Sequence, residues 1–114
     1  MNRASMNELP EAIFQRWGHS FEEDSDDVVM YRPSGYAFPP ARGRAGIEFK
    51  SNGEFIDWAI GRGDAQQPVL KRWHADTPIR IRITDQGTAR PSRAFEILEV
   101  TANILRVRQL PVAA

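Results

Sequence analysis

The sequence predicts an all-β chain folded as an eight-stranded antiparallel up-and-down barrel, and three observations predict it. No long window keeps apolar residues on a 3.6-residue period, and 8 glycines and 8 prolines interrupt any helix that would start. Short runs in which apolar and polar residues alternate recur at a spacing of about 8–12 residues. Between the runs gather Asn, Asp, Gly, Pro and Thr, the residues that turns require. Short sequential hairpins favour a barrel over a sandwich, because closure leaves no strand edge exposed.

Residues 1–10 read as a flexible tail ahead of a barrel domain over residues 11–110. Leu9 to Phe14 has room for one helical turn, with Pro10 near its start, where a missing N–H does no harm. The expected strands are Phe14–Glu22, Val28–Arg32, Gly46–Lys50, Glu54–Ile60, Val69–Ala75, Ile79–Thr84, Ala94–Val100 and Ile104–Gln109. Ser51-Asn52-Gly53 is a tight hairpin turn, since Asn and Gly accept positive φ. Asp76-Thr77-Pro78 and Thr101-Ala102-Asn103 are short connections, and Pro33 to Arg44 is the longest excursion.

Period 2 assigns the faces. Ile79, Ile81 and Ile83 point inward while Arg80 and Arg82 point out. Leu105 and Val107 point inward while Arg106 and Arg108 point out. Glu96 and Glu99 lie on the strand between them, so cross-strand Arg–Glu pairs account for these arginines better than a nucleic-acid surface does.

Composition narrows the function. With 15 basic and 15 acidic residues the formal net charge is zero, which argues against nucleic acid as a partner. The chain has no Cys, so disulfides, thiol catalysis and zinc–thiolate sites are excluded. No apolar run approaches the roughly 20 residues of a membrane-spanning helix. The expectation is a soluble cytoplasmic protein with no membrane partner, no metal and no cofactor, a homodimer being left open.

The stretch from Arg16 to Pro33 carries the most chemistry. Trp17, His19 and Phe21 alternate as residues of one strand face would, placing His19 inside the barrel. There it is either a hydrogen-bonded wall residue, a polar handle for a ligand, or an acid–base group, its ordinary pKa being near neutrality. His74 has the opposite parity to Trp73, so a two-histidine metal site needs His74 to be the inward one. Glu22, Glu23, Asp24, Asp26 and Asp27 read as a solvated turn; they lack the spacing and central Gly of a calcium loop. Arg42-Gly43-Arg44 follows the Pro-rich loop and either clamps an anion or pairs with those acids, the second being favoured; Arg32 belongs to the same set. Tyr31, Tyr36 and Phe38 lie on or beside that loop, where a pocket mouth would be. Trp58 and Trp73 fall on neighbouring strands.

Trp17 in the first strand, with Arg106 or Arg108 in the last, resembles the lipocalin and calycin superfamily. There an Arg of the last strand stacks on the Trp of a Gly-x-Trp motif, although Gln15 stands here where the Gly should be. The segments Trp17-Gly18-His19-Ser20, Tyr31-Arg32-Pro33, Pro39-Pro40-Ala41-Arg42-Gly43-Arg44 and Gly53-Glu54-Phe55 are similar to those of small bacterial lipocalin-like proteins of unassigned activity. The resemblance implies the fold and carries no chemistry. The expected function is binding of a small, partly apolar, acidic ligand inside the barrel. Its binding residues are Trp17, His19, Tyr31, Arg32, Arg42, Arg44, Trp58 and Trp73. One alternative is an isomerase, cyclase or decarboxylase using His19 as acid or base. The other is a filled barrel acting as an interaction or oligomer module, with Leu98 and Val100 as candidates for an apolar outer face.

Overall fold

The structure, a computed structural model, describes residues 9–88 and 90–112. Its strands are β1 (Arg16–His19), β2 (Val28–Pro33), β3 (Gly46–Phe49), β4 (Glu54–Ile60), β5 (Gln66–Thr77), β6 (Arg80–Asp85), β7 (Pro91–Val100) and β8 (Leu105–Gln109). They close into one barrel, and every neighbouring pair is antiparallel. The eight-stranded antiparallel barrel expected from the sequence is therefore the fold.

From β3 to β8 each strand pairs with the next. The first hairpin enters with its strands exchanged: β2 lies against β8 and β1 against β3. Residues 34–45 carry the chain from β2 past β1 to β3. The close approach of β1 and β3 is built on glycine, Gly18 opposite Gly46. A Cβ on Gly46 would stand 2.3 Å from the Trp17 carbonyl oxygen, and the ring of Phe38 fills the space beside Gly18.

The turns form as their residues dictate. Gly53 takes φ +97°, and the Asn52 side chain accepts from the Glu54 N–H at 3.0 Å. The Thr77 hydroxyl accepts from the N–H groups of Ile79 and Arg80, and that of Thr101 from Asn103 and Ile104. These ST turns reverse the chain between β5 and β6 and between β7 and β8.

Inward residues of all eight strands, among them Trp17, Tyr31, Phe49, Phe55, Ile81, Ile83, Phe95 and Leu105, pack into one buried core. Of the expected tail, residues 1–8 lie outside the described residues, and Leu9 is buried in this core. Pro10 leads into a 3-10 turn, Glu11–Ile13, whose Ile13 is fully buried. The Trp17 indole N–H donates to the Ile13 carbonyl at 3.0 Å, and Phe14 packs on Trp73 with ring centroids 5.9 Å apart. The N-terminal segment thus closes one end of the barrel.

Three expectations about these strands are corrected. Ile79 is 47% exposed, because β6 starts one residue later and the register shifts between Ala75 and Thr77. Arg106 and Arg108 do not cover Trp17: β2 stands between β8 and β1, and both arginines lie outside, on Glu99 at 2.9 Å and on Glu96 at 3.2 Å. These are the expected cross-strand pairs, and Glu96 and Glu99 share the outer face despite their odd spacing because the register shifts between Ile97 and Glu99. Val100 packs against the core and is not part of an outer apolar face.

Candidate functional site

The end remote from the N-terminal segment is different in kind. Val69 faces inward beside Asp57, yet it is 44% exposed, so this end is open to water. Below it the interior holds the buried apolar core. Around it the inner face turns polar, with residues that strand parity places there: His19, Tyr31, Asp57, Lys71 and Arg93, and Asp85 at the rim.

The groups form a continuous line. Asp24 Oδ2 meets His19 Nε2 at 2.8 Å, while Asp24 Oδ1 accepts from the Met30 N–H at 2.8 Å. The His19 ring lies 5.4 Å from the Tyr31 ring, its cross-strand neighbour. The Tyr31 hydroxyl is 3.5 Å from the Arg93 guanidinium, which donates to it. Arg93 lies 3.6 Å from Asp57, Asp57 3.9 Å from Lys71, and Lys71 3.3 Å from Asp85. Arg93 also covers the Phe95 ring at 4.9 Å. Burial raises the Tyr31 pKa, with Arg93 opposing, so the phenol is neutral and its O–H is a donor at ordinary pH. That hydrogen has no acceptor among the described residues.

The lengths of these contacts decide what the cations are for. Arg93 and Lys71 reach their carboxylates only at 3.3–3.9 Å. Arg32 of β2 and Arg44 of the β2–β3 connection, which pair with the acidic turn, are matched far more tightly. Arg44 holds Glu22 with two donors at 2.9 and 2.8 Å, donates to the carbonyls of His19 and Pro39, and lies between the rings of Phe21 and Phe38. Arg32 holds Glu23 at 2.9 and 2.7 Å. Both sets of donors are spent on the protein, as bidentate pairs are.

The acidic turn is therefore not a merely solvated one. Glu22, Glu23 and Asp24 hold Arg44, Arg32 and His19, and Asp27 lies 3.2 Å from Arg108. The Arg32 pair, and after it the Ser20 hydroxyl, lower the Glu23 pKa to about 2. A lowered carboxylate pKa stabilises the fold above the unfolded value near 4.5, and that contribution is lost as pH falls through about 2. Glu23→Gln is thus expected to destabilise the protein at neutral pH. The difference from the parent should vanish as pH falls from about 4.5 to about 2, as urea unfolding across that range would show.

The residues singled out from the sequence separate into groups. His19 and Tyr31 stand at the open end. Trp17 is fully buried in the core, and Trp73 is buried at the closed end, donating to the Lys50 carbonyl at 2.7 Å. Trp58 is not inside: it lies on the outer face, its N–H on Glu48 at 3.1 Å and Arg16 stacked on its ring at 3.7 Å. The Arg–Trp stack of this barrel is that outer pair. Arg42 is 91% exposed, with Asp64 at 3.6 Å, beside a surface groove of about 550 Å³ that also touches Arg16, Phe38 and Gln66. His74 faces out and Trp73 in, so the two histidines share no site. Asp57, Lys71 and Arg93 were missed, because inward parity was read from apolar residues; the only signal was Lys71 falling on the face of Val69 and Trp73. No family model matches the chain, and no curated protein or solved structure matches it.

Proposed function

We propose that the protein binds a small, partly apolar molecule bearing a carboxylate at the open end of the barrel. Arg93 and Lys71 meet the carboxylate, Tyr31 donates to it, and Val69 and the top of the core take the apolar part. The observation that carries this reading is the contrast in pairing. The cations paired with the acidic turn are spent on short bidentate contacts, whereas those inside the open end are held loosely beside a buried phenol with a hydrogen to give. Pockets that orient ligands are built this way, mostly apolar with a few convergent polar groups.

The test is thermal stabilisation by a panel of aliphatic and aromatic carboxylic acids, each beside its methyl ester. Acids are expected to raise the melting temperature saturably and esters not to. Arg93→Met should weaken acid binding about tenfold to a hundredfold, the worth of a charge-assisted hydrogen bond. Esters acting as well as acids, or a response unchanged in Arg93→Met, would overturn the proposal.

One observation favours a second reading, acid–base catalysis on the same ligand. The imidazole of His19 is oriented by a carboxylate at 2.8 Å and lies against the Tyr31 ring. Under that reading His19→Gln retains acid binding and loses turnover. An oligomer built by strand addition is not favoured. Residues 66–70 of β5 pair with β4 alone. In this register Pro68 lies opposite Trp58, between the hydrogen-bonded pairs, so its missing N–H faces the free edge and blunts it.

A further inference from the structure

The outer wall carries a second arrangement that neither the core nor the open end uses. On β5 and β6, Arg72 lies opposite Thr84 and His74 opposite Arg82, so four side chains form a square on the outer face. They line an open depression of about 470 Å³ together with Asp85, whose carboxylate is engaged by Lys71 at 3.3 Å, and with Gly87 and Thr88 of the β6–β7 connection. From this geometry we infer that the square binds a phosphate-type dianion, a free phosphate or the phosphate of a small metabolite.

Pairing again supplies the argument. On β8, Arg106 meets Glu99 and Arg108 meets Glu96. Arg72 has only the Asn52 carbonyl at 3.5 Å and no carboxylate among the described residues. Arg82 spends its Nε on Asp76, at 2.9 and 3.0 Å, and turns no other donor onto a described partner. His74 is fixed by the Thr84 hydroxyl at 3.0 Å. Burial first, then the fields of Arg82 and Arg72, lower its pKa, with Asp76 opposing. The other charged groups nearby are Asp85 on the rim, held by Lys71 at 3.3 Å, and Glu54, the cross-strand neighbour of Arg72. The Arg72 fork and the two terminal nitrogens of Arg82 offer more donors than the two oxygens of a carboxylate use, and they suit the three or four oxygens of a phosphate. A bound dianion would also favour the protonated imidazole that the arginines oppose.

NMR titration of the whole protein with inorganic phosphate, at low ionic strength and beside matched sodium chloride and sodium acetate series, tests this. Phosphate is expected to shift the signals of Arg72, His74, Arg82 and Thr84 saturably. It should also raise the His74 titration midpoint by about 0.5–1 unit. The double variant Arg72→Gln, Arg82→Gln should keep the dispersed spectrum of the fold and lose the saturable response. Linear shifts equal to those of chloride, saturation by acetate as strong as by phosphate, or a response kept by the double variant would each overturn it. An organic phosphate monoester binding more tightly than inorganic phosphate at the same residues would identify the metabolite as the source; equal binding would identify the free ion.

Discussion

Trp17→Ala is expected to lower the stability of the barrel by about 3–5 kcal/mol, the range for removing a large buried aromatic side chain. Trp17 is fully buried, and its indole N–H holds the Ile13 carbonyl. The substitution opens a void in the core and frees the segment that closes the barrel. Both effects act together, so Leu9 and Ile13 should lose burial in the variant. Chemical unfolding gives the magnitude, and hydrogen exchange at residues 13–19 shows whether the closing segment has come loose. Trp17→Phe separates the two effects, keeping most of the volume and removing the donor. It is expected to lose about 1–2 kcal/mol. A loss from Trp17→Ala of under about 1 kcal/mol would mean that the closing segment carries little of the fold.

Gly46→Ala is expected to destabilise by about 2–4 kcal/mol, toward the upper end of the overpacking range. The added methyl would stand 2.3 Å from the Trp17 carbonyl oxygen. That atom belongs to the backbone of a paired strand and cannot swing aside as a side-chain end would. Relief must come from separating β1 from β3, the seam at which the barrel closes. Gly35→Ala serves as the control, because nothing lies within 4 Å of a methyl there. The comparison by urea unfolding fails the argument if the two variants lose the same stability.

The parts of this structure that were legible in the sequence are those governed by local chemistry. Ser51-Asn52-Gly53 specifies a reversal by positive φ, and the alternation of Ile81 and Ile83 with Arg80 and Arg82 specifies a wall with an inside. Strand number and antiparallel sense followed from such pieces. The exchange of β1 and β2 did not, because pairing of Tyr31 with Leu105 and of Trp17 with Ile47 is long-range, and no turn residue encodes it. Parity failed at Ile79 and Val100, which lie beside register shifts, since one extra residue moves each later side chain to the other face.

At the open end, the inward face of His19 was legible from Trp17 and Phe21, whereas Tyr31 was read as a residue beside the long loop. Arg93, Asp57 and Lys71 were hidden because charge was taken as a mark of the outside. That rule holds along the buried core of the barrel and lapses at an open end, where an inward side chain still reaches water. The five acids of the turn misled in the opposite way. They read as solvated, and four of them hold partners from outside the turn, three arginines and His19. Arg32 and Arg44, chosen as ligand contacts, are the cations so held by Glu23 and Glu22.

The exchanged first hairpin has a consequence in time. Strands β3 to β8 are joined by short turns, so each pairing closes a small loop and forms at little entropic cost. The contacts of β2 with β8 join residues roughly 80 positions apart, and they can form only once the six-stranded ribbon has curled enough to present both its edges. The hairpin of β1 and β2 is then the last piece to enter, a keystone set between two finished edges. Destabilising changes within it or at its seam with β3, Gly46→Ala among the latter, should speed unfolding while leaving the folding rate almost untouched. Changes at the Asn52-Gly53 turn should slow folding instead.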